Sequence, residues 1–290
     1  MNDQNKILVA VVCYNRSNHI SKCLNAIKKF LSEEKHKVII FQDYDNSQSK
    51  EWKLTNSIIS ASNFEIKINK QNLGLRENIF SILSFFYKSE YSNIILIEDD
   101  IIISEKFFNF FNYAFNKFED NNDIFQISGF SPLKYKSNFF GIYPRISTWG
   151  WGTWKKKFPN PKEIKLDWNN FELTEDLSVK IKEYMPDVLH LIKLKQQGKI
   201  NAWSLDYLIF MISNNLNTLY PGNSLIENIG FDGSGENCND TKPFFEIKKP
   251  KKIYHKPVNE LNIKKVKNVF RGYYSPSLIK KIQNKIIKIT

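Results

Sequence analysis

Two hydrophobic periods alternate along the first 130 residues. Residues 7–14, ILVAVVCY, form a near-continuous apolar run with β-branched enrichment, as expected of a strand buried on both faces. The polar residues 15–18 follow, with Ser17 or Asn18 placed to cap a helix running to about residue 31. In that helix Ile20, Leu24, Ile27 and Leu31 recur at helical spacing. The same alternation predicts strands at 38–42, 64–68, 94–97 and 124–128. Between them it predicts helices at 49–61, at 75–87, and from a cap at Ser104 to about residue 118. Strands separated by helices imply an α/β fold, a mostly parallel sheet flanked by helices with right-handed crossovers.

After about residue 131 the texture changes. Aromatics and glycines crowd together in TWGWGTW at 148–154, and helical patterns return at 174–197 and 204–214. Residues 228–237, NIGFDGSGEN, hold three glycines and read as a mobile loop. Residues 276–290 read as a basic amphipathic helix, with Leu278, Ile282, Ile286 and Ile289 on one side.

Composition narrows the class. Over 290 residues, 42% hydrophobic content allows a substantial core and excludes disorder by composition. The longest apolar runs fall well short of the roughly 20 residues that span a bilayer. No signal-peptide layout precedes Cys13, so a cytoplasmic location is expected. Cys13, Cys23 and Cys238 make no C-x-x-C pair; they read as small core hydrophobes rather than a disulfide framework. The net charge of +12 would suit nucleic acid or an anionic membrane. Yet among 42 basic residues only Arg16, Arg76, Arg145 and Arg271 are arginine, in a chain rich in Lys, Asn and Ile. The charge therefore reads as compositional bias, and no nucleic-acid partner is expected. The arginines become informative, because a bidentate fork on a phosphate or carboxylate is a task Lys performs poorly.

The candidate chemistry sits at strand ends. Glu98, Asp99 and Asp100 lie between the runs IILI and III, where burying adjacent carboxylates is costly. In open α/β sheets ligands bind beyond the carboxyl ends of the strands, and Arg16, Asp43 and the triplet all fall there. Carboxylates on a rigid sheet suit a hard cation, Mn²⁺ or Mg²⁺, of the kind that accompanies nucleotide diphosphates. The plain alternative is a strand end leading into an acidic turn. The tryptophans of 148–154 offer indole faces that stack on sugars, or they fill a core. At least one of them is expected in the core and one in the cleft. No Walker loop or G-x-G-x-x-G is present.

KILVAVVCYNRS with HISKCLNAI, then VIIFQDY, NLGLREN and IILIEDDIIISEKFFNFF, occur in order at fitting intervals. Together they resemble the GT-A glycosyltransferases, most closely the N-acetylglucosaminyltransferase I type with its Glu-Asp-Asp triplet, and also family-two bacterial transferases of surface polysaccharides. The likeness covers residues 6–128 well and the rest loosely. It implies a nucleotide-sugar-binding half at 1–130, an acceptor-side half of the same domain at 131–260 and the basic tail at 261–290. It also implies roles. Arg16 would contact the uracil or phosphates, and Arg76 would face the diphosphate. Asp43 would accept from the uracil N–H, with Asp45 as competitor. Glu98 and Asp99 would hold sugar hydroxyls and ribose. Asp100 would bind the metal, with His255 closing on it, and Trp151 would line the donor site. Asp206, in a partial match to W-D-D-W, would be the catalytic base, with Asp232 as rival.

The expectation is a metal-dependent, inverting transfer of a hexosyl or N-acetylhexosaminyl group from a UDP-linked donor to a glycan or lipid-linked acceptor. That activity would serve bacterial surface polysaccharide biosynthesis, and the tail would touch the inner face of the membrane. Two alternatives are a sugar nucleotidyltransferase, which would need a Gly-rich basic loop that CYNRS lacks, and a non-catalytic carbohydrate- or nucleic-acid-binding protein.

Overall fold

The computed structural model describes residues 6–32, 34–233 and 258–274. His255, Cys238, the end of the glycine-rich loop and the tail helix at 276–290 lie outside the described residues.

The first half follows the predicted alternation. Strands β1 (Ile7–Cys13), β2 (His36–Gln42), β3 (Glu65–Ile68) and β4 (Asn93–Glu98) alternate with helices α1 (Ser17–Phe30), α2 (Lys50–Ser60) and α3 (Gly74–Lys88). The short β5 (Ile101–Ile103), α4 (Phe107–Lys117) and β6 (Ile124–Ser128) follow. β1 pairs in parallel with β2 on one side and β4 on the other, and β2 pairs in parallel with β3.

The second half contributes β7 (Phe139–Tyr143), β8 (Trp151–Trp154), α5 (Pro161–Ile164), α6 (Glu175–Tyr184), α7 (Val188–Gln196) and α8 (Ser204–Ser213). The last elements are β9 (Asn217–Pro221), β10 (Ile226–Asn228), β11 (Asn259–Glu260) and α9 (Ile263–Tyr274). Among the described residues one nine-stranded sheet runs β11-β7-β9-β6-β8-β4-β1-β2-β3, so the two halves share it. β8 enters antiparallel between β4 and β6. The single helix predicted at 174–197 breaks in two around Pro186, which lacks the amide a continuing helix needs. Two predicted caps are also replaced. Arg16 precedes α1 without a side-chain cap, and the Ser17 amide donates instead to Glu51 Oε1 at 2.7 Å. α4 begins after Lys106, also uncapped, rather than at Ser104.

Alternation along the strands fills two layers. Val9 and Val11 of β1 face Ile20, Cys23 and Ile27 of α1 and the phenylalanines of α4. Leu8, Ala10 and Val12 face Ile79, Ile82 and Phe86 of α3 and the apolar side of α8. Gly152 packs so closely that an added Cβ would lie 2.5 Å from the Ile94 carbonyl oxygen, and Phe111 and Phe115 close the other side. The glycines of 148–154 thus serve the chain's own packing, with Gly150 turning at φ +61°.

Some of the excess positive charge is structural. Lys155 donates to the carbonyls of Phe86 (3.0 Å) and Ser89 (2.8 Å) at the end of α3. Lys157 does the same after α4, donating to Phe118, Asn121 and Ile124 at 2.7–2.8 Å. Each lysine adds a charged donor to carbonyls at or just beyond a helix end.

His36 opens β2 and packs on α4, its ring 4.7 Å from Phe108. Its Nδ1 lies 2.8 Å from the Ser32 carbonyl and its Nε2 3.1 Å from the Asn112 side chain. Burial pushes its pKa down despite these contacts. A depressed histidine binds fewer protons folded than unfolded, so its contribution to stability is present above about pH 6.5 and lost as pH falls below it. The midpoint of thermal unfolding is expected to fall between pH 7.5 and pH 5, and His36→Phe is expected to flatten that slope.

Candidate active site

The ends of β1, β2 and β4 are in register. Val12 pairs with Glu98, and Cys13 with Gln42, so the residues that follow emerge side by side. Arg16, at the turn into α1, reaches across the end of β4. Its Nη2 donates to Asp99 Oδ1 and, at 3.2 Å, to Asp100 Oδ2; its Nε donates to Asp99 Oδ2 at 3.3 Å. Asp99 is buried, and Glu98 and Asp100 are half-buried. Burial opposes the guanidinium charge, yet Asp99 and Asp100 hold its pKa above the usual value.

The acids respond in the opposite sense. Asp99 is pushed up to about 6, by burial first, with Arg16 working against the rise. Glu98 is pushed up to about 8, by burial and then by the charges of Asp100 and Asp99. One guanidinium therefore bonds two of the three carboxyl groups, and burial with the charge of both neighbours raises the third.

Asp43 follows β2 on the same rim. Its Oδ1 accepts from Asn69 Nδ2 (2.8 Å) and the Leu73 amide (3.0 Å), and its Oδ2 accepts from the Gly74 amide (2.8 Å). The carboxylate thus holds the turn that starts α3, where Gly74 sits at φ +72°. Asp45 is engaged locally, accepting from the amides of Ser47 (2.9 Å) and Ser49 (3.0 Å), and the side-chain hydroxyls of Ser49 and Ser47, with these amides, hold its pKa down.

The antiparallel pair β5–β10 places residues 226–233 over the triplet. Asn228 stands opposite Ile101, and the Ile229 amide donates to the Asp100 carbonyl at 2.9 Å. Gly230 lies so close that any Cβ would collide with the Asp100 carboxylate. Two residues on, Asp232 Oδ2 lies 3.1 Å from Nε2 of the buried His19.

Three expectations need correction. Asp206, expected as the catalytic base, is fully buried. It accepts from Arg76 Nε (3.1 Å) and Nη2 (2.5 Å), the Leu166 amide (2.8 Å) and Trp168 Nε1 (3.2 Å), so no acceptor hydroxyl reaches it. Arg76, expected at the diphosphate, is committed to that carboxylate and to the Leu166 carbonyl (2.9 Å). Trp151, expected against the donor sugar, is buried between Tyr207 and Trp203, with ring centroids 4.9 and 6.0 Å away. Trp149 is the partly exposed indole of this segment, edge-on to Phe130 (4.8 Å) and Phe231 (5.7 Å). His19 carried no signal in the sequence, since a lone histidine in a first helical turn is usually structural.

Among the described residues, no group of three or more His, Cys, Asp and Glu side chains is assembled to hold a metal. Asp100 is a hard oxygen donor at the rim and fits a divalent cation as a single protein ligand, the remaining ligands coming from outside the chain.

Two outcomes follow from these positions. Arg76→Met is expected to lower unfolding free energy by about 3–5 kcal/mol in urea titrations, because it leaves a buried carboxylate unpaired. Glu98→Gln is expected to raise the melting temperature of the ligand-free protein at pH 8 and to change it little at pH 5. An acid whose folded pKa is raised costs stability as pH climbs from its unfolded value to its folded one, and glutamine removes that cost.

No protein-family model matches the chain, and no curated protein does either. Several solved structures are similar in part. A mannosyltransferase from Pyrobaculum calidifontis in complex with GDP-Man and Mn²⁺ aligns at 10% identity and TM-score 0.38, over 52% of this chain and 45% of its own. S. aureus TarS in complex with UDP-GlcNAc aligns at 17% identity and TM-score 0.35, over 49% and 36%. A cytidylyltransferase from Leptospira borgpetersenii aligns at 10% identity and TM-score 0.35, over 55% and 63%. The matched region is less than half of the first two chains, and at such TM-scores none of these likenesses bears on the site or its chemistry.

Proposed function

We propose that this protein is a glycosyltransferase that moves a sugar from a nucleotide diphosphate donor, UDP-linked in our reading, onto a hydroxyl of a glycan or lipid-linked oligosaccharide. The observation that carries the proposal is the contact of Arg16 with Asp99 and Asp100 across the ends of adjacent parallel strands. A cation and three acids there meet the two halves of a sugar nucleotide. The guanidinium fork suits the diphosphate, and the carboxyl groups suit hydroxyls.

In this reading Asp100 would hold a divalent cation, Mn²⁺ or Mg²⁺. When bound, that ion supplies positive charge beside the departing diphosphate. Arg16, released from Asp100, turns its fork to the phosphates. Asp99 accepts from the ribose hydroxyls. Glu98 would accept from the sugar hydroxyls. Asp43 Oδ1 already accepts from Asn69 Nδ2 and from the Tyr44 and Leu73 amides, and its Oδ2 would take the imide N–H of a uracil beside the Gly74 amide. Arg76 and Asp206 act at a distance, pinning α3 to α8 and to the segment around Leu166. Trp149, with its neighbouring aromatics, offers an apolar wall to the sugar. Attack opposite the diphosphate gives inversion at the anomeric carbon.

A thermal-shift panel of UDP-, GDP- and CMP-sugars with and without Mn²⁺ tests the reading. A ligand at 100-fold its Kd stabilises by about 2.7 kcal/mol, and UDP-sugars with Mn²⁺ are expected to give that shift. Asp100→Ala is expected to remove the Mn²⁺-dependent part of the shift without lowering the melting temperature of the free protein. No stabilisation of the wild-type chain by any nucleotide sugar would refute the proposal.

A further inference from the structure

We infer that Asp232 is the general base of the transfer and that His19 is its positioning residue; this deepens the transferase reading and rests on it. A base must be reachable from solvent, close to the donor and held in one orientation. Asp206 fails the first condition. The Asp232 side chain is 49% exposed. It is also tied to the donor rim. Gly230 abuts the Asp100 carboxylate, the Ile229 amide donates to the Asp100 carbonyl, and two residues of chain span at most about 7 Å. Phe231, between them, packs edge-on against Trp149 and fixes the segment from its other side.

Orientation comes from His19. It lies on the first turn of α1, three residues after Arg16, and is itself buried, so its Nε2 is a fixed point 3.1 Å from Asp232 Oδ2. α1 therefore presents Arg16 to the triplet and His19 to Asp232 from one rigid element. A donor bound at the first would be aligned with a base held by the second. In the step itself, an Asp232 carboxylate oxygen accepts the acceptor's hydroxyl proton while the acceptor oxygen forms its bond to the anomeric carbon. The bond from that carbon to the diphosphate oxygen breaks, and its electron pair leaves with the nucleotide.

The test separates binding from turnover. UDP binding in the presence of Mn²⁺ is measured by calorimetry, and UDP release from UDP-glucose and from UDP-N-acetylglucosamine is followed in water and with added mono- and disaccharide acceptors. Asp232→Asn is expected to keep the Kd for UDP within about threefold and to lower kcat 100-fold or more, within the range general-base catalysis supplies. His19→Ala is expected to lower kcat about tenfold at unchanged donor KM. His19→Gln, which keeps an N–H near the Nε2 position, is expected to recover most of that loss; a merely structural histidine would not show this split. Unchanged kcat in Asp232→Asn with intact UDP binding overturns the inference alone. Absence of UDP binding or of UDP release in the wild-type protein overturns the transferase reading, and the base with it.

Discussion

Three consecutive carboxyl groups at the end of a buried strand set the terms for everything around them. Sequestering like charges together is costly, and the fold offsets that cost with one guanidinium from the neighbouring strand's turn. The register of β1 with β4 is what makes this possible. A slip by one residue would move Arg16 away from Asp99 and leave the acids without a counter-ion. The apolar sheet and the polar rim are therefore one solution, since neither is stable without the alignment the other requires.

The described arginines are all engaged, but to different ends. Arg145 forks onto Asp187 at 2.8 and 2.9 Å and stacks on Tyr274, fastening α9 beside β7. Arg271 donates to the Glu183 carbonyl at 2.8 Å. Arg76 closes a buried pair with Asp206 that joins α3 to α8. Arg16 differs in sitting at an open strand end, where its partners are themselves ligand-type groups. An ion pair buried between helices stabilises one arrangement. An ion pair on a rim keeps a charged surface neutral until something of matching charge replaces one of its members.

Much of the first half was legible in the sequence because its signals are local. Residues 124–128 form the strand their run of β-branched and aromatic residues predicted, and Ser49 caps α2 through the Trp52 amide. Proximity of Arg16 and the triplet was legible too, since strand order in such sheets brings those ends together. The errors came from groups whose roles depend on distant partners. Asp206 reads as a base in a motif, and only the fold shows Arg76, Leu166 and Trp168 converging on it. Trp151 and Trp149 are two residues apart in one aromatic run, yet one is buried and the other partly exposed, with Gly150 at positive φ between them. His19 and Asp232 are separated by more than 200 residues, and no local pattern joins them.

The insertion of β8 between β4 and β6 also governs the order in which the molecule assembles. Strands β1 to β4 form from contacts spanning fewer than 100 residues, but the gap beside β4 stays open until residues 151–154 arrive to fill it. β6 and β9 then join through that strand rather than directly to β4. Closure of the sheet beside β4 depends on a strand more than 50 residues further along the chain, the kind of non-local pairing that slows folding. During synthesis the edge of β4 stays unpaired until the WGTW strand has emerged, an interval in which that edge is open to pairing with another chain.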